Sequence, residues 1–208
     1  MPTGANLPGL FSQPGERFQL IKRRIRQRIM DLRDMIIFRY VTKHKLHIRE
    51  PKKIAPSLHH DMYTAFAEGD LETLRIICGE GLLSSFQKRI SIRGPTKVEW
   101  KLHKMLSPPK VASSKAHYYG GKGLLRRQAI VRIHSLQSLA KFTLRGELVK
   151  GSGTPKEIME YVVLEKKYEN GKESPWYIWG TTEETTIKVL AEQKRKTELQ
   201  EASRLISP

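Results

Sequence analysis

The sequence predicts an α+β fold, and three observations lead to that prediction. Apolar residues at helical spacing come first along the chain, in residues 17–40 and again in residues 62–86. Segments that alternate apolar and polar residues follow, between residues 98 and 180. A hydrophobic share of 38% in 208 residues is enough for one modest core. Because the helices precede the strands instead of alternating with them, we expect helices packed on an antiparallel sheet.

The first predicted element is a basic helix in residues 17–40, RFQLIKRRIRQRIMDLRDMIIFRY. Its apolar residues recur every three or four positions and so share one face, the apolar stripe: Phe18, Ile21, Ile25, Ile29, Leu32 and Ile36. Bases border the stripe on both sides, with Lys22, Arg26 and Arg33 on one side and Arg17, Arg24 and Arg28 on the other. The pattern predicts an amphipathic helix that meets a negatively charged surface.

Three such surfaces fit the helix. A membrane would take the apolar stripe into its interface while the bases reach the headgroups. RNA would meet the bases if the stripe packs on the protein's own core. A mitochondrial import receptor would bind the helix as a targeting signal. Residues 1–15 contain no Lys or Arg and resemble neither a secretory signal nor a transit peptide, so in a mitochondrial protein the helix itself would have to supply the signal unless a presequence has been removed. We favour RNA first, the membrane second and a cleaved signal third, and a removed presequence stays an open alternative.

Composition divides the chain into four segments. Residues 1–16 form a flexible leader rich in Pro and Gly, and residues 17–54 contain the basic helix and a basic linker. Residues 55–182 form the predicted α+β domain, and residues 183–208 form a charged C-terminal helix or tail. Uninterrupted apolar runs such as residues 35–38 are far shorter than the ~20 residues that span a bilayer.

Two or three short helices open the domain. Gly69 and Asp70 are expected to end one helix and to cap the next. The apolar residues of this region are predicted to cover a sheet, and they are Met62, Phe66, Leu71, Leu74, Ile77, Leu82, Leu83 and Phe86.

The sheet is predicted from period-two patterns. Alternating apolar residues mark the first strands, and they are Val98, Trp100 and Leu102, then Ala129, Val131 and Ile133, with Ala140, Phe142 and Leu144 continuing the pattern. Residues 161–164 are apolar on both faces and indicate a central strand. Residues 169–175, ENGKESP, form a turn before a closing strand in residues 176–180.

The charge balance points to a partner rich in phosphate. The chain has 38 Lys and Arg against 21 Asp and Glu, a net charge of +17 that argues against a free metabolic enzyme. Residues 1–54 hold 13 of these bases and four acids, so about half of the excess lies there. The candidate contacts with ribosomal RNA or lipid are Arg17, Lys22, Arg23, Arg24, Arg26, Arg28, Arg33, Arg39, Lys43, Lys45, Lys52, Lys53, Lys122, Arg126 and Arg127.

The last three of these candidates lie in residues 118–127, YYGGKGLLRR. The segment lacks the GxxxxGK[ST] spacing of a nucleotide-binding loop. It is either a flexible hairpin tip or an RNA-contacting loop whose bases neutralise phosphates while Tyr118 or Tyr119 stacks on an unpaired base. Trp100, Trp176 and Trp179 occupy strand positions and are expected in the core.

Candidate catalytic and metal sites are weak. Asp61, Glu68 and Asp70 lie near His59 and His60 in sequence, but Asp70 is explained as a helix cap. The His pairs at residues 44 and 47 and at residues 59 and 60 lack an HExxH pattern or matching cysteines. The single cysteine, Cys78, excludes an intramolecular disulfide, favours a reducing compartment and is expected to be a buried thiol. We therefore expect no catalytic site, metal, cofactor or small-molecule substrate.

Three segments carry a resemblance to a known family. Residues 62–86, MYTAFAEGDLETLRIICGEGLLSSF, resemble the helical opening of the import-motor-scaffold C-terminal (Tim-forty-four-like) domain, shared with the mitoribosome receptor of the inner membrane. EYVVLEKKY with PWYIWG, in residues 160–180, is similar to the last two strands of that domain in a large-subunit mitochondrial ribosomal protein, and RRQAIVRIHSLQSLAKF, residues 126–142, fits its middle hairpin. The resemblance covers about residues 55–182. It implies a cone-shaped domain with a curved antiparallel sheet wrapped by helices.

The resemblance also implies a function. It places the protein in the mitochondrial matrix, peripheral to the inner membrane, as a non-catalytic component of the large ribosomal subunit near the polypeptide exit tunnel. Its expected partners are ribosomal RNA, neighbouring large-subunit proteins, and the anionic inner membrane or its insertase. The alternatives are a membrane-associated scaffold of the matrix-side import motor, and a small-molecule-binding or enzymatic domain of the same fold. High charge and the charged C-terminal helix favour the ribosomal protein.

Overall fold

A computed structural model of the chain describes residues 7–43, 47–119, 124–169 and 172–184, together with eight helical positions between residues 189 and 200. It contains two compact units, one of residues 1–29 with 183–208 and one of residues 30–182, called the α+β unit below. Lys45 and Lys122 lie outside the described residues, as do the side chains of Tyr118 and Tyr119.

The predicted basic helix is present as α1, Pro14–Thr42. Glu16 lies in its first turn and Arg39 in its last, which suits the charges at the two ends of a helix dipole. Among the described residues, no helix is long and apolar enough to cross a membrane.

Three further helices open the α+β unit: α2, Glu50–Glu68; α3, Leu71–Ile77; and α4, Glu80–Arg93. Gly69 has φ 81° and donates its backbone N–H to the carbonyl of Ala65, and the Asp70 side chain accepts from the backbone N–H groups of Glu72 and Thr73. The predicted stop and cap are therefore confirmed. α2 begins inside the predicted linker because Pro51, at the start of the helix, supports the first turn instead of breaking it.

The strands are β1, Val98–Tyr119; β2, Leu124–Lys141; β3, Lys156–Glu169; β4, Lys172–Glu173; and β5, Tyr177–Thr182. They form one antiparallel sheet in which β2 pairs with β1 and β3, and β3 also pairs with β4 and β5. The predicted central strand is confirmed as β3, in which residues 161–166 are all buried. The α+β class is confirmed.

Two strand ends differ from the prediction. β1 continues far beyond Leu102, across Pro108 and Pro109, because register shifts in its pairing with β2 accommodate the two prolines. These irregularities bend the sheet. β2 ends at Lys141, so the prediction that Phe142 and Leu144 continue it was wrong; a turn with Gly146 at φ 82° redirects the chain there.

Helices α2, α3 and α4 contribute to one core with the sheet. Buried core residues from the helices include Met62, Phe66, Leu74 and Phe86, as the helical pattern predicted. The strands contribute Ala129, Val131, Ile133, Val162, Leu164 and Ile178. Leu71, Ile77, Leu82 and Leu83 pack at the margin of this core and are partly buried.

Candidate nucleic-acid interface

The apolar stripe of α1 faces solvent. Its six side chains are 45% to 69% exposed. The sequence is compatible with two arrangements, one with the stripe in a membrane and one with the stripe on the protein's own core. Within the described residues the stripe does not form the second arrangement. Large apolar side chains in one exposed row mark an interaction surface more often than isolated ones do.

The C-terminal part of α1 packs within the α+β unit through another face of the helix. Phe38 is 2% exposed and meets the ring of Tyr168 edge-on, with 4.8 Å between the ring centroids. Phe38, Tyr168 and Leu125 form a small buried cluster, with Ala116 packed against it. Asp31, also buried, accepts a 2.9 Å hydrogen bond from the Ser113 hydroxyl. The stripe is therefore left uncovered while the helix is held by its opposite side.

Most of the candidate bases on α1 are solvent-exposed. Lys22, Arg23, Arg26 and Arg28 are exposed, and so are Arg33 and Arg39 and, directly after the helix, Lys43. Arg33 contacts the carboxylate of Asp34 at 3.2 Å, so part of its charge is compensated. Arg17 and Arg24 are partly buried, and Arg17 donates to the carbonyl of Pro8 at 3.1 Å. The arrangement gives α1 an exposed apolar row with exposed bases on both sides, among them Lys22, Arg26 and Arg28.

Lys52 and Lys53 are exposed on the first turn of α2. The same helix is buried in the α+β unit through Pro51, Ala55 and His59. The two lysines therefore project from a fixed element of the α+β unit, which suits contact with a phosphate backbone.

The hairpin bases differ from the prediction. Arg127 is 1% exposed, its guanidinium lies 5.3 Å from the centre of the Trp176 ring, and burial lowers the pKa of the group. It therefore cannot neutralise an external phosphate, and its assignment to an RNA contact was wrong. Arg127 is in phase with Ala129, Val131 and Ile133, so strand alternation already places it on the core face.

Arg126 points to the other face of β2. It is about one-third exposed, and its guanidinium lies 3.8 Å from the carboxylate of Glu165. Glu165 is almost fully buried and also accepts hydrogen bonds from Gln128 and Tyr177. Arg126 is thus partly committed within the protein, although its exposed portion is still accessible to an anion.

The structure adds a row of bases that sequence analysis did not single out. Lys101, Lys104 and Lys110 are exposed on β1, as is His103. Within the described residues β1 pairs only with β2, so these side chains stand on a sheet edge. Lysines on an edge strand hinder pairing with other sheets, and they also offer charge to a phosphate backbone. The alternation of Lys with apolar residues after Val98 was the available signal.

Comparison with known proteins identifies the family. The family described as "MBA1-like protein" matches residues 1–205. The chain belongs to the MBA1-like protein family.

This MBA1-like chain is also similar to curated proteins named "Large ribosomal subunit protein mL45". It is 30% identical to the Xenopus tropicalis protein over 39% of the chain, 36% identical to the Drosophila melanogaster protein over 35%, and 34% identical to the Bos taurus protein over 35%. The matches span only 25%, 20% and 24% of those three relatives. These names agree with the ribosomal side of the resemblance found in the sequence.

The chain also has a match among solved structures to the intermembrane space region of the chloroplast protein ARC6. It is 13% identical, with a TM-score of 0.44, and the match covers 67% of the MBA1-like chain and 97% of that structure.

The remaining candidate residues have structural surroundings that explain them. Cys78 is buried in the core, as predicted, and burial raises the pKa of its thiol to about 12. A hydrogen bond from the Thr73 hydroxyl lowers the pKa of Asp70, consistent with its role as a cap. Among the described residues, no group of three or more His, Cys, Asp or Glu side chains is arranged to hold a metal ion.

The three tryptophans occupy different surroundings in the MBA1-like protein. Trp176 is buried beneath Arg127, and Trp100 is partly buried. Trp179, by contrast, is 52% exposed on β5, so the expectation that all three lie in the core was wrong. Trp179 follows the buried Ile178, and alternation along β5 turns it to the other face of the sheet.

Proposed function

We propose that this MBA1-like protein is a non-catalytic structural component of the mitochondrial large ribosomal subunit. In this role it binds ribosomal RNA near the polypeptide exit tunnel and helps to hold the ribosome against the inner membrane. It acts on the matrix side of that membrane. The observation that carries the proposal is α1, whose exposed apolar stripe lies between exposed bases. Similarity to proteins named as large-subunit ribosomal proteins supports the same role.

RNA binding is assigned to the exposed bases of α1 and to Lys52 and Lys53. Each base that neutralises a phosphate releases condensed counterions, so attachment should weaken steeply as salt rises. A net charge of +17 also speeds the encounter with a polyanion. Neighbouring large-subunit proteins are further partners in this proposal.

Membrane contact is assigned to the apolar stripe. An amphipathic helix of this kind lies in the plane of the interface, with its apolar side at the boundary of headgroups and acyl chains. Each Lys or Arg near an anionic leaflet adds about 1 kcal/mol of attraction. A few such bases with the stripe therefore suffice for reversible docking on the inner membrane.

The ribosomal assignment is tested by sedimentation of the tagged protein from detergent-solubilised mitochondria, at moderate and high salt, with and without ribonuclease. Co-migration with the large subunit that ribonuclease abolishes is the expected result. The variant K22E/R23E/R26E/R28E should lose co-migration, and the matched variant R23K/R26K/R28K, which keeps every charge, should retain it. Migration of the wild-type protein as a small species would contradict the proposal.

Detergent removes the membrane as a carrier, so lipid contact needs a second assay. Flotation with cardiolipin-containing vesicles should carry the wild-type protein upward and should fail for Ile25→Ser/Ile29→Ser, whose bases are intact. Both side chains are more than half exposed, so the fold should not change. If the stripe variant floats like the wild type, the membrane role is wrong.

The sedimentation assay also tests the alternative function. Migration of the wild-type protein with translocase components, instead of with the ribosome, would favour the import-motor scaffold.

A further inference from the structure

The α+β unit contains a cavity that the ribosomal role does not use. Its volume is about 430 Å³, within the usual range for small-molecule sites. Tyr63, Phe66 and Trp100 give it aromatic walls, and Leu139 and Ile158 add apolar surface. The segment between β2 and β3, with Gly151 and Gly153, closes another side. The cavity is thus a concave site with flat apolar walls.

An ionised carboxylate lies in this cavity. Glu160 on β3 accepts hydrogen bonds from three side chains: at Oε2 from His59 at 2.7 Å and from Gln137 at 3.0 Å, and at Oε1 from the hydroxyl of Tyr63. Burial alone would raise the pKa of Glu160, but these hydrogen bonds outweigh it and lower the pKa. The side chain keeps 18% of its surface exposed.

Glu160 still has room for one more donor. A carboxylate offers about four acceptor positions, two on each oxygen. The two positions on Oε2 are filled by His59 and Gln137, whereas Oε1 accepts from Tyr63 alone among the residues that the structure describes. The orientation of Gln137 is fixed in turn, because its own oxygen accepts from the Trp100 indole at 2.9 Å. The cavity therefore presents one preorganised acceptor beside aromatic rings.

The other charged residues that line the cavity are basic. They are Arg89, Lys141, Lys150 and Lys156, and all four are exposed. Glu160 is the only acidic residue among the described lining residues. Lys156 precedes Glu160 by four residues on the same face of β3, about 13 Å along the strand. A ligand of some length can thus reach the inner carboxylate and the outer bases together.

We propose that this cavity binds a nucleotide whose base carries an exocyclic amino group, such as adenine or cytosine. The base lies against the aromatic walls and its amino group donates to Oε1 of Glu160. The phosphate meets Lys150 and Lys156. A simple cation would be repelled by the four outer bases, and a plain acyl chain would bury the carboxylate against hydrocarbon. The inference goes beyond the proposed function and is independent of it.

Calorimetric titration of the full chain with AMP tests the site, with adenosine and ribose 5-phosphate as half-ligands. AMP should bind more tightly than either half. The variant K150A/K156A should weaken AMP by about tenfold or more and leave adenosine unchanged. The matched variant K88A/K172A removes two exposed lysines that do not line the cavity, and it should bind AMP like the wild type. All four lysines are exposed, so the fold is expected to persist in both variants.

Glu160→Gln tests the inner contact. It should weaken AMP and adenosine alike, with a thermal melting curve as the check on folding. If this variant fails to fold, the lysine variants still decide the question. Ribose 5-phosphate that binds as tightly as AMP would overturn the role of the base. Phosphoethanolamine that competes equally with AMP would overturn the nucleotide in favour of a zwitterionic headgroup.

The same chemistry has two sources, a free nucleotide or an unpaired nucleotide of RNA. Oligoadenylate that displaces AMP identifies the RNA source, and AMP binding that oligoadenylate leaves unchanged identifies the free nucleotide; either result supports the site. The proposal would be overturned if AMP does not bind and if any binding of oligoadenylate is the same in the wild type and in K150A/K156A. Failure of AMP binding would not change the expected sedimentation with the ribosome, so the nucleotide site and the ribosomal function can be refuted separately.

Discussion

The attachment of α1 gives the sharpest stability prediction. Phe38 is 2% exposed and forms a buried cluster with Leu125 and Tyr168. Phe38→Ala therefore removes the apolar contact that holds this part of the helix. Large-to-small changes of buried Phe cost about 3–5 kcal/mol, and a small cluster at the margin of the core should fall near the lower end. Ile36, two residues away on the same helix, is 60% exposed, and Ile36→Ala should change stability by less than about 0.5 kcal/mol.

Two assays distinguish these outcomes. Urea unfolding gives the change in the free energy of unfolding, and native-state amide exchange shows where protection is lost. Phe38→Ala should speed exchange in residues 31–42 before it affects β3, because the helix loses its anchor while the main core is intact. Equal effects of the two substitutions, or unchanged exchange in residues 31–42, would refute the assignment of Phe38 as the anchor.

Three further predictions follow from single side chains. Asp70→Ala should lower the free energy of unfolding by about 1 kcal/mol in urea, because two backbone donors of α3 lose their acceptor, and an unchanged midpoint would contradict the cap. The pKa of Glu160 is lower in the folded protein than its ordinary value of 4.5, so the ionised carboxylate stabilises the fold at pH values above 4.5, and this stabilisation is lost as the pH falls through the folded pKa. Glu160→Gln should therefore make the free energy of unfolding depend less on pH below 4.5. Parallel curves of stability against pH for the wild type and the variant would exclude this contribution. Cys78, with its pKa raised to about 12, should resist iodoacetamide at pH 8 in the native state and react fully in urea, and rapid native labelling would contradict its burial.

Local signals in the sequence predicted most of the elements. The helix in residues 17–40, the Gly69-Asp70 boundary and the central strand each depend on spacing or capping within a few residues, and all three are present. β1 was predicted too short because Pro108 and Pro109 normally end a strand. Only pairing with β2, in a register that shifts around them, keeps this segment in the sheet.

The surroundings of Glu160 and Arg127 were harder to predict than the helices and strands, because they depend on contacts between residues that are distant in sequence. Glu160 meets His59 across 101 positions of sequence, and no spacing rule connects them. Arg127 was different, because its phase along β2 already placed it with core residues and only its charge suggested an exterior position. The buried guanidinium over Trp176 shows that alternation was the stronger signal there.

Periodicity also identified the apolar stripe without saying what covers it. A helix can bury an apolar face against its own domain, but α1 is held instead by Phe38 and by the hydrogen bond between Ser113 and Asp31. These contacts lie on the side of α1 opposite the stripe, so they leave its apolar face accessible. The exposed face is then part of the binding surface in the proposed role, because packing it inward would withdraw the membrane contact and leave only the bases for RNA.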